Sequence, residues 1–121
     1  MSQFRFEEFE IWKDAIELAE KLFDLADNIE NKKLYKFAEQ LRGAAMSISN
    51  NIAEGAGAFS KKEFAYFLNI ARRSAFECAN ILVLFYRKKL LDQERKEILM
   101  GELAILSRKI TNFRKTLLKN L

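Results

Sequence analysis

Apolar residues recur at spacings of three and four through four stretches of the chain. Ile11, Ala15, Leu18, Leu22 and Leu25 form the first stripe, with the period of an amphipathic helix. Trp12, Ala19 and Phe23 widen it, so this helix is expected to face more than one neighbour. Leu34, Phe37, Leu41, Ala45, Ile48 and Ile52 form the second stripe. The third comprises Phe64, Phe67, Leu68, Ala71, Ala75, Cys78, Leu82 and Phe85. In the fourth, Leu99, Leu103, Leu106, Ile110, Phe113 and Leu117 alternate fours and threes, the narrow seam of a coiled coil. The stripes predict helices over about 9–28, 34–54, 60–89 and 93–118.

The intervals carry matching punctuation. Asn28 to Lys33 is polar and reads as a loop. Gly55 follows the second stripe at once and is expected to take the left-handed conformation that ends a helix. Gly55-Ala-Gly-Ala-Phe59 is the clearest break in the chain. Ser60-Lys-Lys-Glu63 reads as a capping box, in which the serine accepts from a first-turn amide and the glutamate reaches back. Asp92 is placed to cap the fourth helix. Short connections between long helices give antiparallel neighbours. The expected fold is therefore all-α, an antiparallel up-down-up-down four-helix bundle forming one domain.

Composition narrows this further. The 121 residues contain no proline and four glycines, too little punctuation for a β-rich fold. A chain of this size buries roughly two-thirds of its unfolded surface and needs no disulfide or metal to fold. A single cysteine cannot pair internally, which fits a reducing cytoplasm. Met1 to Glu10 has no apolar run of the secretory kind, and no apolar stretch approaches the ~20 residues of a membrane span. The net charge of +4 is unevenly spread. Residues 1–60 carry seven basic and eleven acidic side chains, whereas residues 61–121 carry fourteen and six. Such a split suits head-to-tail self-association or a polyanion.

The middle of the chain carries a recognisable string. Gln40-Leu-Arg42 is followed by Ser47-Ile-Ser-Asn-Asn-Ile-Ala-Glu-Gly55, then Ser60-Lys-Lys-Glu-Phe64, Phe67-Leu68, Ile70-Ala71, Ser74 and Glu77. With Phe9-Glu-Ile-Trp12 at the first helix, these resemble the bacterial four-helix-bundle family named for proteins encoded in 23S ribosomal RNA intervening sequences. That family is similar in fold to the accessory proteins of diversity-generating retroelements. The resemblance implies an antiparallel bundle assembled as a homopentameric ring, a role in nucleic-acid binding, and no catalytic residue. The chain departs from the pattern twice. Ala58-Phe59 stands where Gly-Arg is usual, and Arg73-Ser74 where Gly-Ser is usual.

Three sets of residues are candidates for chemistry. Ser47, Asn51 and Glu54 lie on one stripe beside the second helix's seam, and Ser74 and Glu77 on the third helix could join them. A carboxylate at a helix C-terminus wants a partner, and Arg42, Arg72 or Arg73 could serve Glu54. The set reads either as a polar network pinning two helices or as a ligand site. A metal or acid–base role for Glu54 and Glu77 lacks the histidine that bundle metal sites use, and the chain has none. Cys78 falls on an apolar seam without a base to activate it. Neither catalysis nor a cofactor is expected.

The cations are more informative. Arg72, Arg73, Arg87, Lys88, Lys89, Arg108, Lys109, Arg114, Lys115 and Lys119 belong to the third and fourth helices, sequence neighbours whose cations could share one face. Such a face could follow a phosphate backbone in RNA or DNA, or it could be merely solvated. Tyr66, Ile70, Ile81, Leu84 and Tyr86, with Ile98, Ile105 and Leu118, lie outside the main seams. They predict either a broad core or, the preferred reading, a second apolar face meeting another subunit or a protein partner.

Overall fold

The computed structural model describes residues 3–119 and 121. Their elements are a short 3-10 turn, Arg5–Glu8, and four helices: α1 Glu10–Asn31, α2 Tyr35–Ala56, α3 Lys61–Arg87 and α4 Gln93–Lys119. No strand occurs among the described residues. Each helix meets the next along its length, and α4 returns to α1. Cross-contacts fix the directions. Arg42 of α2 reaches Asp27 and Glu30 of α1; Ser47 meets Ser74 of α3; Arg114 of α4 reaches Ala65; Lys109 reaches Glu10 and Asp14. Early residues of one helix thus face late residues of the next, the antiparallel bundle that short connections require.

The stripes become the core. Ile11, Ala15, Leu18, Leu22 and Leu25 are all buried, as are Leu99, Leu103, Leu106 and Ile110. Ser60 Oγ accepts from the Glu63 amide at 3.1 Å, and Asp92 Oδ1 from the Arg95 amide at 2.7 Å, so both expected caps form. Phe37, placed on the second seam by spacing, is 46% exposed, and Ala38 is buried in its stead. No described helix is long and apolar enough to cross a membrane.

The helix ends differ from the sequence reading in informative ways. α1 continues through the polar stretch to Asn31 because Ile29 extends the stripe and is fully buried. α2 passes through Gly55, which is helical and buried rather than left-handed. Its role is close approach: a Cβ there would lie 2.8 Å from both Phe64 Cδ1 and Phe67 Cβ.

The left-handed positions are instead Lys33 (φ 65°) and Lys89 (φ 62°). Each follows a helix end and precedes a leucine. The Leu34 amide donates to Ile29 O at 3.4 Å, and the Leu90 amide to Phe85 O at 2.9 Å. That six-to-one bond defines the Schellman stop, whose left-handed position is usually glycine. Both connections therefore read Lys-Lys-Leu and fold alike, a local repeat missed by spacing alone.

These two turns share one end of the bundle, the turn pole. The opposite, closed pole gathers the start of α1, the α2–α3 connection and the end of α4. There Phe9, Phe64 and Phe113 pack with ring centroids 5.3–5.9 Å apart. Arg5 donates to Ala56 O at 3.0 Å and lies over the Phe9 and Phe64 rings at 5.5 and 5.8 Å. The 3-10 turn thereby covers this end and satisfies a terminal α2 carbonyl.

Candidate nucleic-acid interface

Charge is segregated by helix. α1 carries seven acidic and two basic side chains, α3 five basic and two acidic, α4 seven basic and three acidic. Because α1 and α3 are diagonal, one side of the bundle is acidic and the other basic. Where α4 borders α1 the charges partly discharge. Lys21 Nζ meets Glu102 at 2.6 Å, and Lys109 Nζ meets Asp14 at 2.9 Å and Glu10 at 3.0 Å. Hydrogen bonds to Asp14, then Glu10, hold the Lys109 ammonium above its ordinary pKa; Glu102 does the same for Lys21.

The ten candidate cations do not share one face. Arg87, Lys88 and Lys89 are exposed at the turn pole; Arg114, Lys115 and Lys119 lie toward the closed pole. At ~1.5 Å per residue, helices of this length separate the two groups by roughly 40 Å. Arg72 and Arg108 sit between them. They line a groove of about 320 Å³ between α3 and α4, floored by Ala75, Ala79 and Ala104. Arg73 is exposed and does not line it.

Several of these cations are already engaged. Lys109 clamps α1. Arg114 Nε donates to Ala65 O at 3.0 Å, tying α4 to the second turn of α3. Arg72 lies over the Phe76 ring at 4.7 Å, its Nε buried without a partner. Arg73, Arg87, Lys88, Lys89, Arg108, Lys115 and Lys119 are exposed and form no ion pair among the described residues.

The structure adds three lysines from the acidic half. Lys32, Lys33 and Lys36 are exposed at the turn pole, beside Arg87 to Lys89. Asp27, Glu30 and Glu39 all bind Arg42, at 2.7, 2.8 and 3.5 Å, and none pairs with these lysines. The repeated Lys-Lys-Leu was the available sequence signal.

The polar stripe resolves into a smaller unit. Ser47 Oγ and Ser74 Oγ are 2.7 Å apart; Asn51 Nδ2 donates to Ser47 O at 2.8 Å and Ser47 Oγ at 3.0 Å; Ser74 Oγ donates to Ile70 O at 3.1 Å. Glu54 and Glu77 are exposed and stand outside it, their carboxylates making no hydrogen bond or ion pair among the described residues. The partner expected for Glu54 is absent because Arg42 turns to α1 and Arg72 packs on Phe76. What remains is a partly buried α2–α3 tie whose side chains satisfy one another and two helix carbonyls. Cys78 is fully buried, and burial pushes its thiol up to about 12. No group of three His, Cys, Asp or Glu among the described residues could hold a metal ion.

Among known proteins, the family model described as 23S rRNA-intervening sequence protein matches residues 7–112. A solved protein of unknown function from the S23 ribosomal protein family of Bacteroides thetaiotaomicron superposes with a TM-score of 0.82 at 24% identity, covering 87% of this chain and 98% of its own. That likeness is one of fold. No curated protein matches.

Proposed function

The chain belongs to the 23S rRNA-intervening sequence protein family, and we propose that it is a non-catalytic, self-associating helical scaffold that binds RNA or DNA through the phosphate backbone. The observation that carries this reading is the set of exposed cations on α3, α4 and their connection that form no ion pair among the described residues. Cations of this kind release counterions when they meet phosphates, and the gain is largely independent of sequence. Self-association is supported by Tyr66, Phe76, Ile98 and Ile105, large apolar side chains 49–60% exposed on α3 and α4. The family resemblance adds a ring of five as the expected assembly. A non-catalytic role agrees with a thiol that holds its proton at neutral pH and with Ser47 and Ser74 hydroxyls engaged with each other, Asn51 and a helix carbonyl. A lone buried cysteine fits a reducing cytoplasm.

Affinity for an unstructured RNA, measured against salt, tests the proposal. Log affinity should fall linearly with log salt, and alanine at Arg87, Lys88, Lys89, Arg108 and Lys115 together should flatten the slope. No binding at low salt, or a flat dependence, contradicts it. The exposed apolar residues also support a second reading, a protein-interaction adaptor indifferent to nucleic acid. Light scattering addresses the self-association common to both, and a stable monomer at micromolar concentration removes it.

A further inference from the structure

The turn pole combines two features that a duplex-binding surface does not need together. The first is charge: Lys32, Lys33, Lys36, Arg87, Lys88 and Lys89 come from two connections far apart in sequence, and none makes an ion pair among the described residues. The second is apolar: a cleft of about 390 Å³ opens between the connections, lined by Leu34, Phe37, Leu84, Phe85, Leu90 and Lys88. Leu34 and Leu90 are the leucines of the two Lys-Lys-Leu turns, so each turn places a cation beside a wall of the cleft. Phe37 is 46% exposed, edge-on to Phe85 with centroids 6.4 Å apart, and Tyr35 is 58% exposed on the same first turn of α2.

We propose that this pole is a binding site for single-stranded nucleic acid, with unstacked bases taken against Phe37, Tyr35 and the apolar cleft and phosphates met by the lysines of both turns. The inference rests on the nucleic-acid reading above and assigns it a place and a strand form. An aromatic face beside cations is the chemistry by which single strands are held without reading sequence. A duplex keeps its bases stacked and offers the cleft nothing. The cleft's walls are hydrocarbon, which suits the face of a base better than its hydrogen-bonding edge.

Backbone conformation supports a role for the lysine side chains themselves. A left-handed residue is cheapest as glycine, yet both turns carry lysine there. If the charge were incidental, glycine at either position would change nothing but stability. If it serves binding, Lys33→Gly and Lys89→Gly leave the melting temperature unchanged or raised while weakening RNA binding.

The test compares the full chain with two triple variants on a single-stranded RNA and on its duplex. Single-strand binding should exceed duplex binding by tenfold or more. K32A/K33A/K36A should lower the salt slope by about two, at ~0.7 for each phosphate no longer neutralised. R108A/K115A/K119A, at mid-bundle and the closed pole, should lower it less. Tyr35→Ala and Phe37→Ala should each weaken single-strand binding roughly tenfold with the slope unchanged. If no RNA binds at any salt, the nucleic-acid reading falls and this inference with it. RNA binding that ignores the turn-pole variants, or that treats duplex and single strand alike, overturns the inference alone.

Discussion

The two ends of the bundle use the same residue types in opposite ways. At the closed pole, arginine turns inward: Arg5 satisfies the Ala56 carbonyl over two phenylalanine rings, and Arg114 reaches the Ala65 carbonyl. Three aromatic rings pack on one another, and Gly55 lets α2 approach Phe64 and Phe67 closely. At the turn pole the lysines of the two Lys-Lys-Leu turns point to solvent, an aromatic ring stands half exposed, and the backbone adopts left-handed conformations at two of those lysines. The closed pole also exposes Lys115, Lys119 and Phe59, so the contrast is one of arrangement: at the turn pole, exposed cations from two connections flank an apolar cleft. A guanidinium with fixed partners orders helix ends, whereas an ammonium on a flexible stem, unpaired, remains free for an anion.

The largest effect expected from this contrast is in packing. Phe64→Ala should lose about 3–5 kcal/mol of unfolding free energy, as buried aromatic deletions do, whereas Phe37→Ala should lose less than about 1.5 kcal/mol because half its surface is already wet. Urea unfolding midpoints at constant m-value measure both, and similar losses would erase the distinction. Next is Gly55→Ala. Replacing a helical glycine by alanine ordinarily gains up to ~1 kcal/mol. Here the added methyl meets Phe64 and Phe67 at 2.8 Å, so a net loss of about 1–2 kcal/mol is expected. Gly43→Ala and Gly101→Ala, with nothing within 4 Å of the new methyl, should show the ordinary gain. Smaller again is Arg5→Ala, which removes one hydrogen bond and two ring contacts, roughly 1 kcal/mol. Its mirror at the turn pole, Lys33→Gly, should be neutral or gain up to about 1 kcal/mol.

The smallest effect concerns Lys109, which belongs to neither pole. Its folded pKa is raised above the ordinary 10.5 by Asp14 and Glu10. Its contribution is therefore fully present below the unfolded value and is lost as pH rises through the raised one. The stability difference between the protein and Lys109→Met should be flat from neutral pH to about 10 and shrink beyond it. High salt should shrink it too. A difference that grows with alkalinity would mean that Lys109 is held otherwise.

The bundle was legible because burial and helical period coincide: Leu18, Leu22 and Leu103 had to face inward together. Caps were legible because Ser60 and Asp92 are local signals with local partners. Phe37 was not, since spacing alone could not choose between it and Ala38. Gly55 was misread for a related reason. A glycine that ends a helix and one that admits a ring look alike in sequence, and only the position of Phe64 separates them. Among the candidate cations, charge was visible but engagement was not. Lys109 and Arg114 are held by residues 95 and 49 positions away. The turn-pole cluster escaped notice because half of it lies in the acidic part of the chain.

The most direct test of the contrast between the poles is ultraviolet cross-linking of the full chain to a single-stranded uridine oligomer, with the attached peptides identified by mass spectrometry. Exposed aromatic residues elsewhere, Phe4 and Phe59, provide the comparison within the same molecule. Cross-links concentrated on the peptide containing Tyr35 and Phe37, and lost at high salt, are the result predicted. Cross-links at Phe4 or Phe59 with none at Tyr35 or Phe37 would contradict the account.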